Sequence, residues 1–343
     1  MRAQGATAKV FLTALKTLLR KEQGIFLSEV MKDRKLKDTA YHRVRIRRLA
    51  ALAGVLLMLI IFFPSSASAG LLLHHYITYT VATGDTLILI GDRMGVSWKK
   101  IADDNGLDPG KPLRAGLNLR IAAREIIPET MERGIVIDLP GRMLHLFERG
   151  VPLMSVPVGL GMPKKEGQGG WETPAGKFKI KGKLKNPDWK VPESIQEEMR
   201  REGLAVKESY PPGLKNPVGG YVLQTTLPGI LLHDTIDPLS VFRFMSHGCV
   251  RLLRKDMEQL FDSVGSGMAG KIAYSPVKIA ELWDGMIFME VNRDVYNKIP
   301  DMQGEARKLL KKAGLFRKVD MKKVEQLVKA RTGIPENITA SGR

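Results

Sequence analysis

Between Gly134 and Gly161 the chain reads GIVIDLPGRMLHLFERGVPLMSVPVGLG. Apolar residues alternate through three short runs, Ile135 to Leu139, Met143 to Glu148 and Leu153 to Val158. Pro140-Gly141 and Arg149-Gly150 separate them. Strand side chains point to opposite faces in turn, so this period suits a β meander and not a helix. A further run, TPAGKFKIKGKL, alternates in the same way after Thr173-Pro174. Helical spacing is confined to Ser194 to Arg201 and Lys255 to Val264. Several short strands with regular turn signals predict a mainly β domain, an all-β sandwich or barrel-like sheet pair, over 132–292. Lys181 to Gly220 holds five Pro and five Gly with little period, which suits a lid over a site better than filler.

Cys249 is the only cysteine among 343 residues and lies in FMSHGCVRLL. An extended backbone from Ser246 to Arg251 would put His247, Cys249 and Arg251 on one face, with Gly248 and Val250 opposite. Neighbours two apart on one face lie about 7 Å apart, within side-chain reach. A thiol reacts as thiolate, and a histidine beside it takes its proton or lowers its pKa. Gly248 leaves backbone N–H groups open to an oxyanion, and Arg251 can hold a carboxylate. The expected roles are therefore Cys249 as nucleophile, His247 as base and acid, and Gly248 as oxyanion backbone. The chain has six histidines, and His233 ends an apolar run able to pair with the cysteine strand. Asp234 or Asp237 could orient a histidine, and the spacing does not choose between them. No His, Asp or Glu cluster has metal-ligand spacing, and no cofactor is expected.

The formal net charge of +18 suggests nucleic acid until its distribution is considered. Residues 1–48 carry +9 and residues 296–343 carry +7, which leaves the 247 residues between them near neutral at +2. No phosphate loop, zinc knuckle or basic–aromatic interleaving accompanies the charge, so nucleic acid is not an expected partner. The basic segment 1–48 runs into the uncharged stretch Leu49 to Phe63, followed by Ala67-Ser68-Ala69. Basic flank, apolar run and small-residue end predict a signal peptide or membrane anchor over 49–69. Leu71 to Leu73 would lengthen the run toward a full span. Arg43, Arg45, Arg47 and Arg48 predict a cytoplasmic N-terminus and an exported body. A free thiol in an oxidising compartment is a liability, which favours a chemical role for Cys249.

Residues 78–122 read as strand, helix, helix, strand: Tyr79 to Val81, a helix carrying Leu87, Ile90 and Met94, a second around Ile101 and Ala102, then LNLRI. Asp85 and Ser97 are the expected caps, and Gly95 the first helix's end. This stretch resembles the LysM module in its YTV, GDTL, GVSWKKIADDNGL and LRAGLNLRI. The resemblance implies binding of N-acetylglucosamine-containing glycans such as peptidoglycan. Gly84, Asp85, Thr86 and Asn105-Gly106-Leu107 to Pro109 would line the groove, or else simply cap and turn the backbone.

SHGCVRL, with LLHDT upstream, resembles the catalytic domain of L,D-transpeptidases, the YkuD domain. ETPAGKFKI, NPDWKVP, NPVGGYVL and SPVKI add to the likeness, which covers about Gly134 to Val291. The resemblance implies a YkuD-like β sandwich that cross-links peptidoglycan. Cys249 would form a thioester with a tetrapeptide stem, release D-alanine and transfer the acyl group to an amine in the wall or on an anchored protein. It implies His247 as base, His233 as second site histidine, Arg251 after the cysteine and Ser246 in the motif, with Thr235, Asp234 and Tyr221 at the substrate. Many members have His-Gly-Thr where this chain has His233-Asp234-Thr235, so the extra carboxylate is expected to bear on acceptor choice. Hydrolysis of the same thioester, and a non-catalytic wall anchor, are the competing readings. At the C-terminus, 296–343 reads as a basic helical tail, one helix ended by Gly314 and one capped by Asp320 and stopped by Gly333 and Pro335.

Overall fold

The computed structural model describes residues 70–94, 96, 98–164 and 170–341. The basic segment 1–48, the apolar run to Ala69, and the Gly95 and Ser97 assignments lie outside the described residues. Among those described, no helix is long and apolar enough to cross a membrane.

In chain order come β1 (Leu71–Thr80), α1 (Leu87–Met94), α2 (Trp98–Asp104) and β2 (Asn118–Ile127), the order read from the sequence. The two strands pair antiparallel over their full ten residues, Leu71 opposite Ile127 and Thr80 opposite Asn118. Leu71 to Leu73 therefore belong to this ladder and do not extend the apolar run. Thr86, not Asp85, caps α1: its hydroxyl accepts from Leu89 N–H at 3.2 Å. Ile77, Tyr79, Ile90, Ile101, Leu119 and Ile121 close a small core that also takes in Met143 from the next domain.

The large domain follows with β3 (Arg133–Asp138), β4 (Met143–Glu148), β5 (Val151–Pro157), β6 (Leu160–Gly161), β7 (Gly176–Lys185), β8 (Trp189–Lys190), α3 (Glu193–Arg201), β9 (Ser209–Tyr210), β10 (Tyr221–Thr225), β11 (Leu231–Asp234), β12 (Phe244–Ser246), β13 (Val250–Leu252), α4 (Arg254–Ser263) and β14 (Ala269–Ala273). The meander forms as read, and Arg149 (φ 54°) and Gly150 (φ 73°) make a tight hairpin turn between β4 and β5. Eight strands join in one hydrogen-bonded order, β13-β11-β10-β7-β14-β3-β4-β5. Each of the eight sends at least one side chain into a single apolar core that Met257 and Leu260 of α4 complete. One sheet curled around its own core thus takes the place of two separately bonded layers.

β4 is buried on both faces. Leu144 and Leu146 face the core of the large domain, whereas Phe147 packs with Ile127 and Val136 against the foot of the β1–β2 ribbon. Two further ties fix that foot: Gly70 N–H donates to Ile279 O at 2.6 Å and Ile126 N–H to Glu290 Oε2 at 2.6 Å.

β15 (Val277–Glu281), β16 (Ile287–Val291), α5 (Met302–Lys312), α6 (Met321–Ala330) and β17 (Glu336–Asn337) complete the chain. β15 and β16, assigned from sequence to the catalytic domain, pair instead with β17 in a separate three-stranded sheet. The two helices bury Met302, Ala306, Leu310, Val324, Leu327 and Val328 against it. This region is therefore a packed subdomain and not a tail, because its apolar stripe shares a core with strands the meander does not use. At its junction with the catalytic sheet, buried Lys278 lies 2.6 Å from Asp138 Oδ2 and 2.5 Å from Glu290 Oε1. The two carboxylates hold its ammonium charged against the cost of burial.

Candidate active site

Cys249 lies in the break between β12 and β13. The extended backbone expected from Ser246 to Arg251 does not form, because Gly248 adopts φ 102°, a region that only glycine enters readily. Side chains set the turn. Ser246 Oγ donates to Cys249 O at 2.6 Å, and Gly248 N–H donates to Ser246 Oγ at 3.2 Å. Thr173 Oγ1 donates to Gly248 O at 2.9 Å while accepting from Gly161 N–H at 2.9 Å. Tyr296 OH donates to Gly161 O at 2.8 Å. The Gly248 amide, expected at the oxyanion, is thus occupied by Ser246. Among the described residues no protein acceptor takes the Cys249 amide.

The thiol is partly exposed and points toward Gly229 O at 3.5 Å. Burial pushes its pKa up, partly offset by the Leu231 backbone and the Arg251 guanidinium. Arg251 is itself drawn down by burial and back up by Asp237 and Cys249. The charge that favours the thiolate is therefore that of Arg251.

The two histidines are held quite differently. β11 pairs with β13 in parallel, with His233 opposite Arg251. His233 Nδ1 lies 2.7 Å from Asp234 O. A carbonyl only accepts, so the proton sits on Nδ1 and Nε2 presents its lone pair. Burial lowers this imidazole to about 4, with Arg251 adding to the effect. His247 instead faces α3: Nε2 lies 2.8 Å from Glu198 Oε2, and Nδ1 3.5 Å from Ser194 Oγ. Trp171 stacks on its ring at 3.9 Å and 22°. Burial lowers His247 and Glu198 pulls it back up. Neither hydrogen-bond partner of the ring is the thiol, so the expected His247–Cys249 hydrogen bond is replaced by contacts with α3.

The remaining substrate-side expectations turn inward. Asp234 is 2% exposed, accepts from Tyr221 N–H at 2.7 Å, and lies 3.4 Å from Arg254 Nη1. Its carboxylate fills the space over Gly219, where a Cβ would come within 2.3 Å. A buried carboxylate bracing backbone is not placed to choose an acceptor. Tyr221 is a core residue whose hydroxyl donates to Glu258 Oε1 at 2.7 Å. Thr235 Oγ1 accepts from Asp237 N–H at 3.0 Å and closes a turn.

In the small domain, Asp85 Oδ2 accepts from Tyr79 OH at 2.7 Å and Ala82 N–H at 2.8 Å. Asn105 bridges Ile101 O and both backbone groups of Arg120. Leu107 packs on the small core, while Gly84 (φ 84°) and Gly106 (φ 62°) supply turns. Of the two readings open for Asp85, Thr86, Asn105 and Leu107, capping and bracing are what their side chains do here.

The segment from Lys181 to Gly220 is more ordered than its composition suggested, with the end of β7, a β8–β9 pair and α3. No α3 side chain is buried. Sequence reasoning missed Glu198, Ser194 and Trp171. Ser194 and Glu198 recur at helical spacing, but nothing local marks His247 as their partner.

Comparison with known proteins gives two family models: the L,D-transpeptidase catalytic domain, YkuD, over residues 132–279, and the LysM domain over 79–122. A protein of Escherichia coli named Probable L,D-transpeptidase YcfS is 29% identical, over 64% of this chain and 68% of its own. Probable L,D-transpeptidase ErfK/SrfK of Salmonella typhimurium is 27% identical, over 68% and 76%. Among solved structures, the L,D-transpeptidase from Mycobacterium smegmatis aligns at 16% identity and TM-score 0.31, covering 62% of this chain and 96% of that one. The solved Ldtfm-avibactam carbamoyl enzyme and a solved L,D-transpeptidase mutant of Enterococcus faecium are covered over 51% and 49% of their length.

Proposed function

We propose, from the match of residues 132–279 to the L,D-transpeptidase catalytic domain and of 79–122 to the LysM domain, that this chain is a peptidoglycan-modifying enzyme working by two-step acyl transfer through Cys249. Cys249 Sγ attacks the carbonyl of the third, L-centred residue of a tetrapeptide stem. The thiol proton leaves for an imidazole, which then protonates the departing D-alanine amine, and a thioester remains. An amine of another stem, or of a wall-anchored protein, resolves it. His233 is the base we assign, since Nδ1–H is committed to Asp234 O and leaves Nε2 as acceptor. A thiol pushed up and an imidazole brought down to about 4 are neutral together near pH 7, so the proton moves as the S–C bond forms. The Cys249 amide is the oxyanion donor we favour, a contact of a kind worth ~2.7–4 kcal/mol.

The observation that carries the reading is the lone, partly exposed Cys249 on a glycine turn beside Arg251, with His233 opposite on the adjoining strand. The LysM domain supports peptidoglycan as the partner, and the basic, apolar N-terminal sequence supports an exported, envelope-associated protein, anchored or cleaved. To test it, the protein and its Cys249→Ala variant are incubated with a disaccharide tetrapeptide and the products weighed. A cysteine-dependent dimer lacking one D-alanine is expected. A cysteine-dependent tripeptide monomer would assign hydrolysis instead, and no cysteine-dependent product would refute the acyl-transfer reading.

A further inference from the structure

We infer that Glu198, acting through His247, positions a second base that serves the acceptor amine, while His233 serves the thiol. The inference rests on the acyl-transfer reading of Cys249 and assigns the second half of that reaction to His247 and its partner on α3.

Four observations carry it. His247 immediately precedes the Gly248–Cys249 turn, yet its Nε2 lies 2.8 Å from Glu198 Oε2 on α3. A carboxylate accepts, so Nε2 carries the ring proton and Nδ1 the lone pair. Ser194 Oγ approaches Nδ1 only to 3.5 Å, long for a hydrogen bond, so that nitrogen is free to exchange partners. Trp171 stacked at 3.9 Å keeps the ring from rotating. A histidine with one nitrogen fixed on a carboxylate and the other loosely held has the arrangement of an oriented general base. The thiol does not use it, and the remaining proton transfer in the reaction is that of the amine.

An acceptor arrives largely as ammonium, since a primary amine titrates near 10.4. Its first proton passes to His247 Nδ1 and on to water. The freed lone pair attacks the thioester carbonyl. As the C–N bond forms and the C–S bond breaks, the second proton travels through His233 to Sγ, restoring the thiol. Water needs no comparable cation binding, so loss of Glu198 lowers aminolysis more than hydrolysis. Because no α3 side chain is buried, Glu198 can be changed with little effect on folding.

The full chain, Glu198→Ala and Glu198→Gln are given a tetrapeptide donor and increasing amounts of a stem tripeptide with a free primary amine. Thioester on Cys249, amide product and hydrolysed tripeptide are each followed by mass. In Glu198→Ala the amide-to-hydrolysis ratio is expected to fall about tenfold or more beyond any loss of thioester formation, with a higher half-saturating acceptor concentration. Glu198→Gln, whose amide oxygen still accepts from Nε2–H, should recover a large part of that ratio. An unchanged ratio, or equal losses in both half reactions, overturns the inference, because either leaves α3 as mere structure. Failure of the wild type to form a thioester would instead refute the acyl-transfer reading itself.

Discussion

His233 makes a sharp prediction about acid stability. Its imidazole is buried and titrates at about 4 in the folded protein, against an ordinary 6.5. The unfolded chain takes up this proton near 6.5 and the folded protein only near 4. Between those values the unfolded state binds more protons, so stability falls as pH falls. The full difference is ~3.4 kcal/mol below pH 4, and roughly 2 kcal/mol of it is lost between pH 7 and pH 5. Urea unfolding of the wild type and of His233→Gln at pH 7 and pH 5 isolates this contribution, since His145, His247 and the buried carboxylates titrate in both. The wild type should lose about 2 kcal/mol more than the variant over that interval. Equal losses would mean that His233 is not held neutral by burial, and the tautomer argument behind its role as base would fail with it.

Alkylation of Cys249 by iodoacetamide should follow a thiol with a pKa above the ordinary ~8.5, so its rate should still be climbing at pH 9. Arg251→Ala should move that profile higher still, because the guanidinium is the cation favouring the thiolate; a shift toward lower pH would contradict its assignment. Lys278→Met leaves Asp138 and Glu290 buried without their cation and should cost about 3–5 kcal/mol by chemical unfolding. A loss below ~1 kcal/mol would show that the junction of the three subdomains does not depend on that charge.

Much of this molecule was legible in its sequence wherever one local rule acts alone. The meander follows from alternation and two turn pairs. The cap of α6 follows from Asp320, which accepts from Lys322 N–H, whereas Asp301, which caps α5 by accepting from Gly304 N–H, went unread. Val324, Leu327 and Val328 are inward because their spacing makes one face of α6 apolar. The Gly248–Cys249 turn was marked by a lone cysteine after a glycine.

The tertiary structure decided what depends on partners distant in the chain. In β7, strict alternation aligns Lys177, Lys179, Lys181, Lys183 and Lys185 on one face. A shift in the pairing with β10 around Lys181 reverses the later part, so that Lys183 Nζ donates to Val264 O at the end of α4. The choice between histidines is of the same kind. Sequence proximity favoured His247, two residues from the cysteine, over His233, sixteen residues before it. A ring nitrogen belongs to whichever group reaches it: His247 is claimed by Glu198 on α3, 49 residues away, and is thereby separated in role from His233, whose Nδ1 stays with the carbonyl of its neighbour Asp234. Asp234 reads as a substrate residue from its motif, yet Gly219 opens a space that its buried carboxylate fills. Alternation and capping are properties of the local backbone and survive in any fold; partners such as Glu198 for His247 and Val264 O for Lys183, 49 and 81 residues apart, meet only once the sheet has closed.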